Sequence, residues 1–330
     1  TLKLVKIKHG KEVNMDKIPL DDKKTHKLFQ EARTTGVFQF ESAGMKRYLK
    51  ELKPTAFDDV VAMVALFRPG PMELIPEFIA RKHGRNPITY VHPSMEKILK
   101  NTYGIMIYQE QVMEIAKELG GFTLPEADTL RKAIGKKIKS LLEEQKNKLI
   151  DGMIKNGVAE KTAQEIWKLI EPFDRYGFNK SHAVAYALIG YQTAFLKAHF
   201  PAEFMASLMT SEFGDIERVA FLVDEAKSMG INTDAPSINK SFATFTVVSD
   251  KEIRFGLTAV KNVGEAIVEA IIEARGNTPF ASIEDFIKRT KHKDLNKKSM
   301  EALIKCGALD ELGERNQILE NLETLLSFAR

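Results

Sequence analysis

The sequence is poor in the residues that staple, anchor or export a chain. Of its 330 residues one is cysteine, Cys306. A lone thiol closes no intrachain disulfide, so nothing points to an oxidising compartment. No Cys/His cluster has zinc spacing. Cys306, directly before Gly307, reads as a small buried hydrophobe. No apolar run reaches bilayer length: the longest, Ala183 to Tyr191, is too short, and Lys197 follows soon after. The opening TLKLVKIKHGKE carries no secretory pattern. It also lacks an initiator Met, so the chain reads as a piece of something longer, with a cytoplasmic setting as the default.

Familiar catalytic signatures are missing too. There is no Walker A loop and no GxGxxG. Ser181-His182 is too local to be part of a Ser/His/Asp triad. No Asp-x-Asp stands on a strand, so no two-metal carboxylate site is visible and no metal ligand is expected in this stretch. Charge is nearly balanced, with 49 Lys and Arg against 45 Asp and Glu, which is too weak an excess to imply nucleic acid. The distribution of charge carries more information than its sum.

What remains is an ordinary globular composition, 44% apolar and 28% charged, long enough for two or three domains. The pattern predicts a mainly α chain. Helices are expected from about residue 20 to about 230, with Asp21-Asp22 and Thr25 as cap chemistry. Arg68-Pro69-Gly70-Pro71, Gly120-Gly121, Pro172 and Pro201 act as stops. Pro125 suits a first helical turn. The texture then changes. Phe242, Phe245, Val247 and Val248 lead to Ser249-Asp250-Lys251, and Ile253, Phe255 and Leu257 alternate after it, a β-hairpin signature. Asp234-Ala235-Pro236-Ser237 reads as a connector, with a boundary near 232–240. Short helices follow from Val260.

Several clusters have the chemistry of a binding surface. LRKAIGKKIKS (130–140), wound as one helix, puts Leu130, Ile134, Ile138 and Leu141 on one side. Lys132, Lys136 and Lys139 fall on the other, with Arg131 between. Such a cationic ridge suits phosphate, and it equally suits a solvated basic face. In NKSHAVAYA (179–187) either Asn179 or Ser181 caps an apolar helix. Its N-terminus then invites an anion, with Lys180 adding charge. His182, Asn179 and Tyr186 offer hydrogen bonds and an aromatic face to a base, or the stretch is a capped core helix. Arg68 sits at a rigid turn, and Arg81, Lys82, His83 and Arg85 cluster after it, as backbone contacts or as a solvated patch. Tyr108-Gln109-Glu110-Gln111 reads as a structural helix start.

Val260-Lys261-Asn262-Val263-Gly264 resembles the turn of a helix-hairpin-helix, where backbone N–H groups hold a DNA phosphate. Asn262 replaces the usual first glycine, and Asn tolerates a left-handed backbone. A more degenerate second unit lies at 295–312, as phosphate contact or as scaffold.

Together, TTGVFQFES (34–42), ALFRPGPM (65–72), RKHGR (81–85), TYGIMIYQEQVM (102–113), LRKAIGKK (130–137), YGFNKSHAVAYA (176–187), YQTAFLKAHFPAEFMASLM (191–209) and FGLTAVKNVGEAIVEAIIEAR (255–275) resemble the catalytic alpha subunits of bacterial DNA polymerase III, the C-family replicative polymerases. The resemblance covers essentially the whole chain. It implies a strand or linker leaving the palm over 1–20, a fingers domain over 21–235, and over 236–330 a β-hairpin with helix-hairpin-helix elements at the start of the duplex- and clamp-binding region.

It implies nucleotide-binding roles for Arg131, Lys132, Lys136 and Lys137 at the triphosphate, and for Asn179, Lys180, Ser181, His182 and Tyr186 at the nucleotide pocket. Arg68, Arg81, Lys261, Asn262 and Gly264 become DNA contacts. Its partners would be primer-template DNA and dNTP and, in the whole protein, the sliding clamp and other replisome subunits, with no membrane. The Mg2+ ions of the whole enzyme would belong to palm aspartates upstream, so no catalytic residue is expected here and the piece alone is predicted inactive. The other reading is a non-enzymatic, sequence-independent DNA-binding or replisome-interaction module.

Overall fold

In a computed structural model, residues 1–136, 139–173 and 177–327 are described, the side chains of Lys136 and Lys139 excepted. The chain forms two compact units, one of residues 15–195 and one of residues 1–14 with 196–330. Its described residues are mainly helical, with one small three-stranded sheet among them. No described helix is long and apolar enough to cross a membrane.

The described part of the unit of residues 15–195 is mainly helix and turn. The helix α2 (Lys23–Gln30) starts at Asp22, whose carboxylate accepts from Thr25 N as the sequence predicts. After α3 (Ala43–Leu52) comes α4 (Phe57–Leu66), which ends at the Pro-Gly-Pro turn. Next are α5 (Ile75–Lys82) and α6 (Glu96–Leu99). A second group, α7 (Gln109–Glu118), α8 (Leu124–Lys136), α9 (Lys139–Lys155) and α10 (Glu160–Ile170), closes around Val112, Ile115, Leu130, Leu149, Ile166 and Trp167. Within it Glu126 accepts from Lys148, tying α8 to α9. That bond, with those from Thr123, brings the carboxyl of Glu126 down to about 2.

The long helix α11 (Lys180–His199) belongs to this unit through Phe195. Its Tyr191 is fully buried against His26, Phe29 and Phe57. The Tyr191 hydroxyl donates to Pro19 O (3.1 Å) and accepts from Asp22 N (3.1 Å). Burial raises its pKa to about 12, so it stays a donor. The neighbouring Gly190 is there for space. A Cβ would lie 2.5 Å from the Phe40 ring and 2.9 Å from Phe38 O. Bare backbone lets segment 38–40 lie against the helix.

The ends of α4 and α5 meet at one buried ion pair. Asp59 is 1% exposed. It accepts from Thr55 N (2.9 Å) and Ala56 N (3.1 Å) at the start of its own helix. Lys82 Nζ lies 2.5 Å away and the Tyr103 hydroxyl donates at 2.8 Å. Burial pushes the Asp59 carboxyl up, but the bonds from Lys82, Thr55 and Tyr103 outweigh it and hold the group below the usual range.

In the other unit the stretch 1–20, read as a strand or linker, holds a helix, α1 (Leu2–His9). Lys6, Lys8 and His9 fill its last turn, where cations oppose the helix dipole. Gly10, left-handed at φ 64°, ends it with an N–H bond to Lys6 O. His9 Nε2 lies 2.8 Å from Glu203 Oε1, and Lys8 Nζ lies 2.9 Å from Asp250. Two helices, α12 (Pro201–Ser211) and α13 (Ile216–Ser228), precede the sheet. The predicted hairpin forms as β2 (Thr246–Ser249) and β3 (Glu252–Arg254), antiparallel with an irregularity between Val247 and Ser249. The expected connector contributes a strand as well: β1 (Asn232–Asp234) pairs parallel to β3.

Five short helices finish the chain: α14 (Glu265–Arg275), α15 (Ile283–Arg289), α16 (Lys297–Lys305), α17 (Arg315–Glu320) and α18 (Leu322–Ser327). They share a core of Leu257, Val263, Ile267, Ile271, Phe286, Met300 and Leu303. Arg289 donates to Ala274 O, Arg275 O and Thr278 O, capping the end of α14. The Arg275 guanidinium is buried and donates to Ile238 O and Ser241 O, both at 2.8 Å.

Asn at position 59 cannot neutralise Lys82. Leaving one buried charge without its partner costs about 3–5 kcal/mol. Asp59→Asn is therefore expected to lower the urea midpoint strongly at pH 7. A depressed carboxyl contributes stability above its unfolded pKa of about 3.9 and loses it as pH falls through the lower native value. The gap between parent and variant should thus narrow below pH 4. A gap independent of pH would show that the charge of Asp59 is not what stabilises the fold.

Candidate nucleotide and nucleic-acid interface

The N-terminus of α11 is built by two distant segments. Residues 107–109 lie beside residue 178 as an isolated parallel bridge. Gln109 N donates to Phe178 O (2.9 Å) and Phe178 N donates to Ile107 O (3.2 Å). Asn179 takes the cap, of the two residues the sequence offered. Its Oδ1 accepts from His182 N (2.9 Å) and from Ser181 Oγ (2.6 Å). Its Nδ2 donates to Glu110 Oε1, and Lys180 N donates to Glu110 Oε2, both at 2.8 Å. The helix end that the sequence left open to an anion thus already holds one of the chain's own. Lys180 Nζ lies 5.6 Å from the centre of the Tyr108 ring, a cation–π distance.

Above this clamp runs a ladder of rings. The Arg68 guanidinium sits 4.7 Å over the Phe178 ring. Phe178 meets His182 edge-on at 5.5 Å, His182 meets Tyr186 at 4.2 Å and 32°, and Tyr186 meets Phe38 at 5.4 Å. His182 and Tyr186, four residues apart, share one face of α11, and Phe178, just before the Asn179 cap, continues the row. His182 is exposed, Tyr186 and Phe178 are half-buried, and Phe38 is 37% exposed. Three predicted residues, Arg68, His182 and Tyr186, are brought together by two that sequence reasoning missed, Phe38 and Phe178. The spacing of Phe178 from His182 was a usable signal. Phe38 offered none, because Gly190 seats it from far along the chain.

Of the basic ridge, the structure describes α8 through Lys136 and α9 from Lys139. Lys137 lies outside the described residues, as does the side chain of Lys136. Leu130 and Ile134 are buried and anchor the ridge. Arg131 and Lys132 share one counter-ion, Asp128, at 2.8 Å each. Hydrogen bonds from Lys132 and Arg131 hold that carboxyl below its usual range. Asp128 was also missed, although an acid three and four residues before two cations is a readable pattern.

The two arginines thought of as backbone contacts part company. Arg68 joins the ladder and also donates from Nε to Ala65 O (2.8 Å). Arg81 does not join it. Its Nε donates to Glu77 (2.6 Å) and NH1 to Tyr103 O, and its side chain, 18% exposed, lines a cavity of about 180 Å3 with Tyr90 and Leu99.

In the other unit the Lys261–Gly264 turn has the form its sequence implies. Asn262 is left-handed at φ 69°. Val263 N donates to Val260 O, and both valines are buried beneath the turn. Lys261, Asn262 and Gly264 are exposed. Gly264 caps α14 with no side-chain bond and with an ordinary φ of −78°. A Cβ there would meet nothing within 4 Å, so neither strain nor packing among the described residues demands glycine. The second unit differs. Asn296 caps α16 by accepting from Lys298 N and Ser299 N, and Lys297 pairs with Glu323. One helix N-terminus is bare and the other is filled.

Residues 1–157 match the family model of the bacterial DNA polymerase III alpha subunit finger domain. Residues 230–319 match a helix-hairpin-helix motif. The chain is 49% identical to DNA polymerase III subunit alpha of Aquifex aeolicus over 93% of its length, covering 27% of that protein. It is 46% identical to the Thermus aquaticus subunit over 99% of its length, again 27% of the relative. Against the Pseudomonas aeruginosa subunit the identity is 49% over 91% of the chain and 26% of the relative. The chain therefore spans about a quarter of the length of these relatives.

A left-handed residue with a Cβ costs about 1–2 kcal/mol, less for Asn. Asn262→Gly should leave thermal stability nearly unchanged. Asn262→Ala should lower it by about 1 kcal/mol. Equal stability for the two variants would mean that the turn does not constrain the fold.

Proposed function

We propose, for a chain that belongs to the bacterial DNA polymerase III alpha-subunit family, that it supplies the fingers and the first duplex-binding elements of a replicative DNA polymerase. Residues 21–235 act as fingers and 236–330 as the start of the duplex-binding region. The observation that carries this reading is the Arg68–Phe178–His182–Tyr186–Phe38 ladder beside the clamped start of α11. A row of aromatic rings with one exposed edge suits a nucleobase of any identity. A polymerase must accept all four.

The reaction is transfer of a nucleotidyl group from a dNTP to a primer 3′-hydroxyl in the cytoplasm of a bacterium. Here His182 and Tyr186 would offer ring faces to the incoming base, and Ser181 and Asn179 polar atoms to its sugar or edge. Lys180, Arg131, Lys132, Lys136 and Lys137 would neutralise triphosphate charge and restrict its orientation. Arg131 and Lys132 would do so by leaving Asp128. Mg2+, when bound, supplies charge neutralisation at the phosphates. Its ligands would be palm carboxylates outside this segment, and the segment alone is expected to be inactive.

Among the described residues the one His/carboxylate trio, His9, Glu203 and Asp250, has the Lys8 ammonium beside two of its acids. A resident cation of the chain itself makes it a poor metal site. In the duplex-binding part, the bare α14 N-terminus at Gly264, with Lys261 and Asn262, would take a phosphate without reading sequence. The capped α16 would serve as scaffold. The sliding clamp and other replisome subunits are further partners of the whole protein.

Loss of one stacking side chain is worth about 1–3 kcal/mol. In the full-length subunit His182→Ala should therefore raise the dNTP KM by roughly tenfold or more, and Lys180→Ala should raise it less. Unchanged values would remove α11 from the nucleotide pocket. For DNA, fluorescence anisotropy of a labelled primer-template should show affinity falling with salt. Gly264→Ala should weaken binding with no loss of thermal stability. Alanine at 131, 132, 136 and 137 should flatten the salt slope. Binding that ignores all five positions and ignores dNTP would favour a simple DNA-binding or replisome-interaction module.

A further inference from the structure

Glu110 is oddly placed for an ordinary surface acid. It stands in the first turn of α7, where an acid opposes its own helix dipole. Its carboxylate nevertheless serves another helix, 70 residues later in the chain. Oε2 accepts from Lys180 N and Oε1 accepts from Asn179 Nδ2. Capping alone does not require it, because Asn179 Oδ1 already bonds His182 N. A carboxylate only accepts, so it can face only the NH2 end of the Asn179 amide. Asn179 Oδ1 is thereby turned toward Ser181 and His182. The bridge of 107–109 to Phe178 fixes the same turn from its other side.

We propose that Glu110 is a positioning residue for the nucleotide pocket. By holding the Asn179 amide and the Lys180 N–H, it sets the pitch and direction of the first turn of α11. Through that turn it aligns the rings of Phe178, His182 and Tyr186 into one ladder. It touches no reacting atom. The proposal rests on the pocket reading given above, and it adds an anchor from a segment that reads as a plain helix start.

The test uses the full-length subunit with Glu110→Ala, Glu110→Gln, His182→Ala, Tyr186→Ala and the Glu110→Ala/His182→Ala pair. Single-nucleotide incorporation on saturating primer-template gives kcat and the dNTP KM, and thermal melting reports on folding. Glu110→Ala is expected to raise the dNTP KM about tenfold, the scale of one charge-assisted hydrogen bond. Its kcat and primer-template affinity should stay within about twofold. Glu110→Gln retains one accepting oxygen and should recover part of the loss. The double variant should be hardly worse than His182→Ala alone, because both act through one turn.

An unchanged dNTP KM for Glu110→Ala, with His182→Ala and Tyr186→Ala raised, overturns the positioning role and leaves the pocket standing. Unchanged values in all three overturn the pocket reading and this proposal with it. A KM effect that simply adds to that of His182→Ala, together with a drop in melting temperature shared by Glu110→Gln, makes Glu110 a strut of the fold and overturns the proposal.

Discussion

The hydroxyl of Tyr191 is the fixed point of the 15–195 unit. It donates to Pro19 O and accepts from Asp22 N, so one buried polar atom is fully used at the point where α11 meets the entry to α2. Its ring packs against His26, Phe29 and Phe57, which come from two other helices. Gly190, one residue earlier, admits the 38–40 segment against the same stretch of helix. With this half of α11 immobilised, the half before it has little freedom of direction. The ladder's support is thus buried further along the same helix.

Both cation-bearing clusters arrive with an acid already in place. Glu110 occupies the N–H and amide donors at the head of α11, and Asp128 sits between Arg131 and Lys132. Such pairs are weak as stabilisers, since each is at least partly solvated. Their value is geometric. An arginine held by a carboxylate keeps its fork extended, and a capped turn keeps its donors aligned. The α14 hairpin follows the opposite rule, with Gly264 leaving its helix end bare while the related turn at Asn296 is closed by its own side chain. Two turns of similar sequence rhythm are thus unequal in the backbone donors they leave open.

Local chemistry was legible in the sequence, and long-range chemistry was not. The Asp22 cap, the stop at Pro69-Gly70-Pro71, the β2–β3 hairpin and the left-handed Asn262 each depend on residues within eight positions of one another. The helix at Leu2–His9 escaped because the resemblance placed a strand or linker there, although Lys6, Lys8, His9 and Gly10 spell a helix end. β1 escaped because its partner, β3, lies about twenty residues later and three residues carry no period. In the site, His182, Tyr186 and Arg68 were readable by type. Glu110 and Phe38 were not, because what makes them matter is a contact to a segment 70 or more residues away. A short-range pattern contains no trace of such a contact.

The pre-filled cations carry a thermodynamic consequence for how this surface responds to its surroundings. Free lysines on a DNA-binding face owe much of their affinity to small ions released from the polyanion as the phosphates are neutralised. A guanidinium that passes from Asp128 to a phosphate trades one paired state for another and leaves an acid behind that must find a new companion, a sodium ion or a neighbouring lysine. Part of the entropy gained from the polyanion is then returned to the protein side. Under the triphosphate role proposed above, recognition on this surface would be an exchange reaction. Its sensitivity to ionic strength is set by how many cations begin unpaired, a smaller number than the sequence's own tally of lysine and arginine.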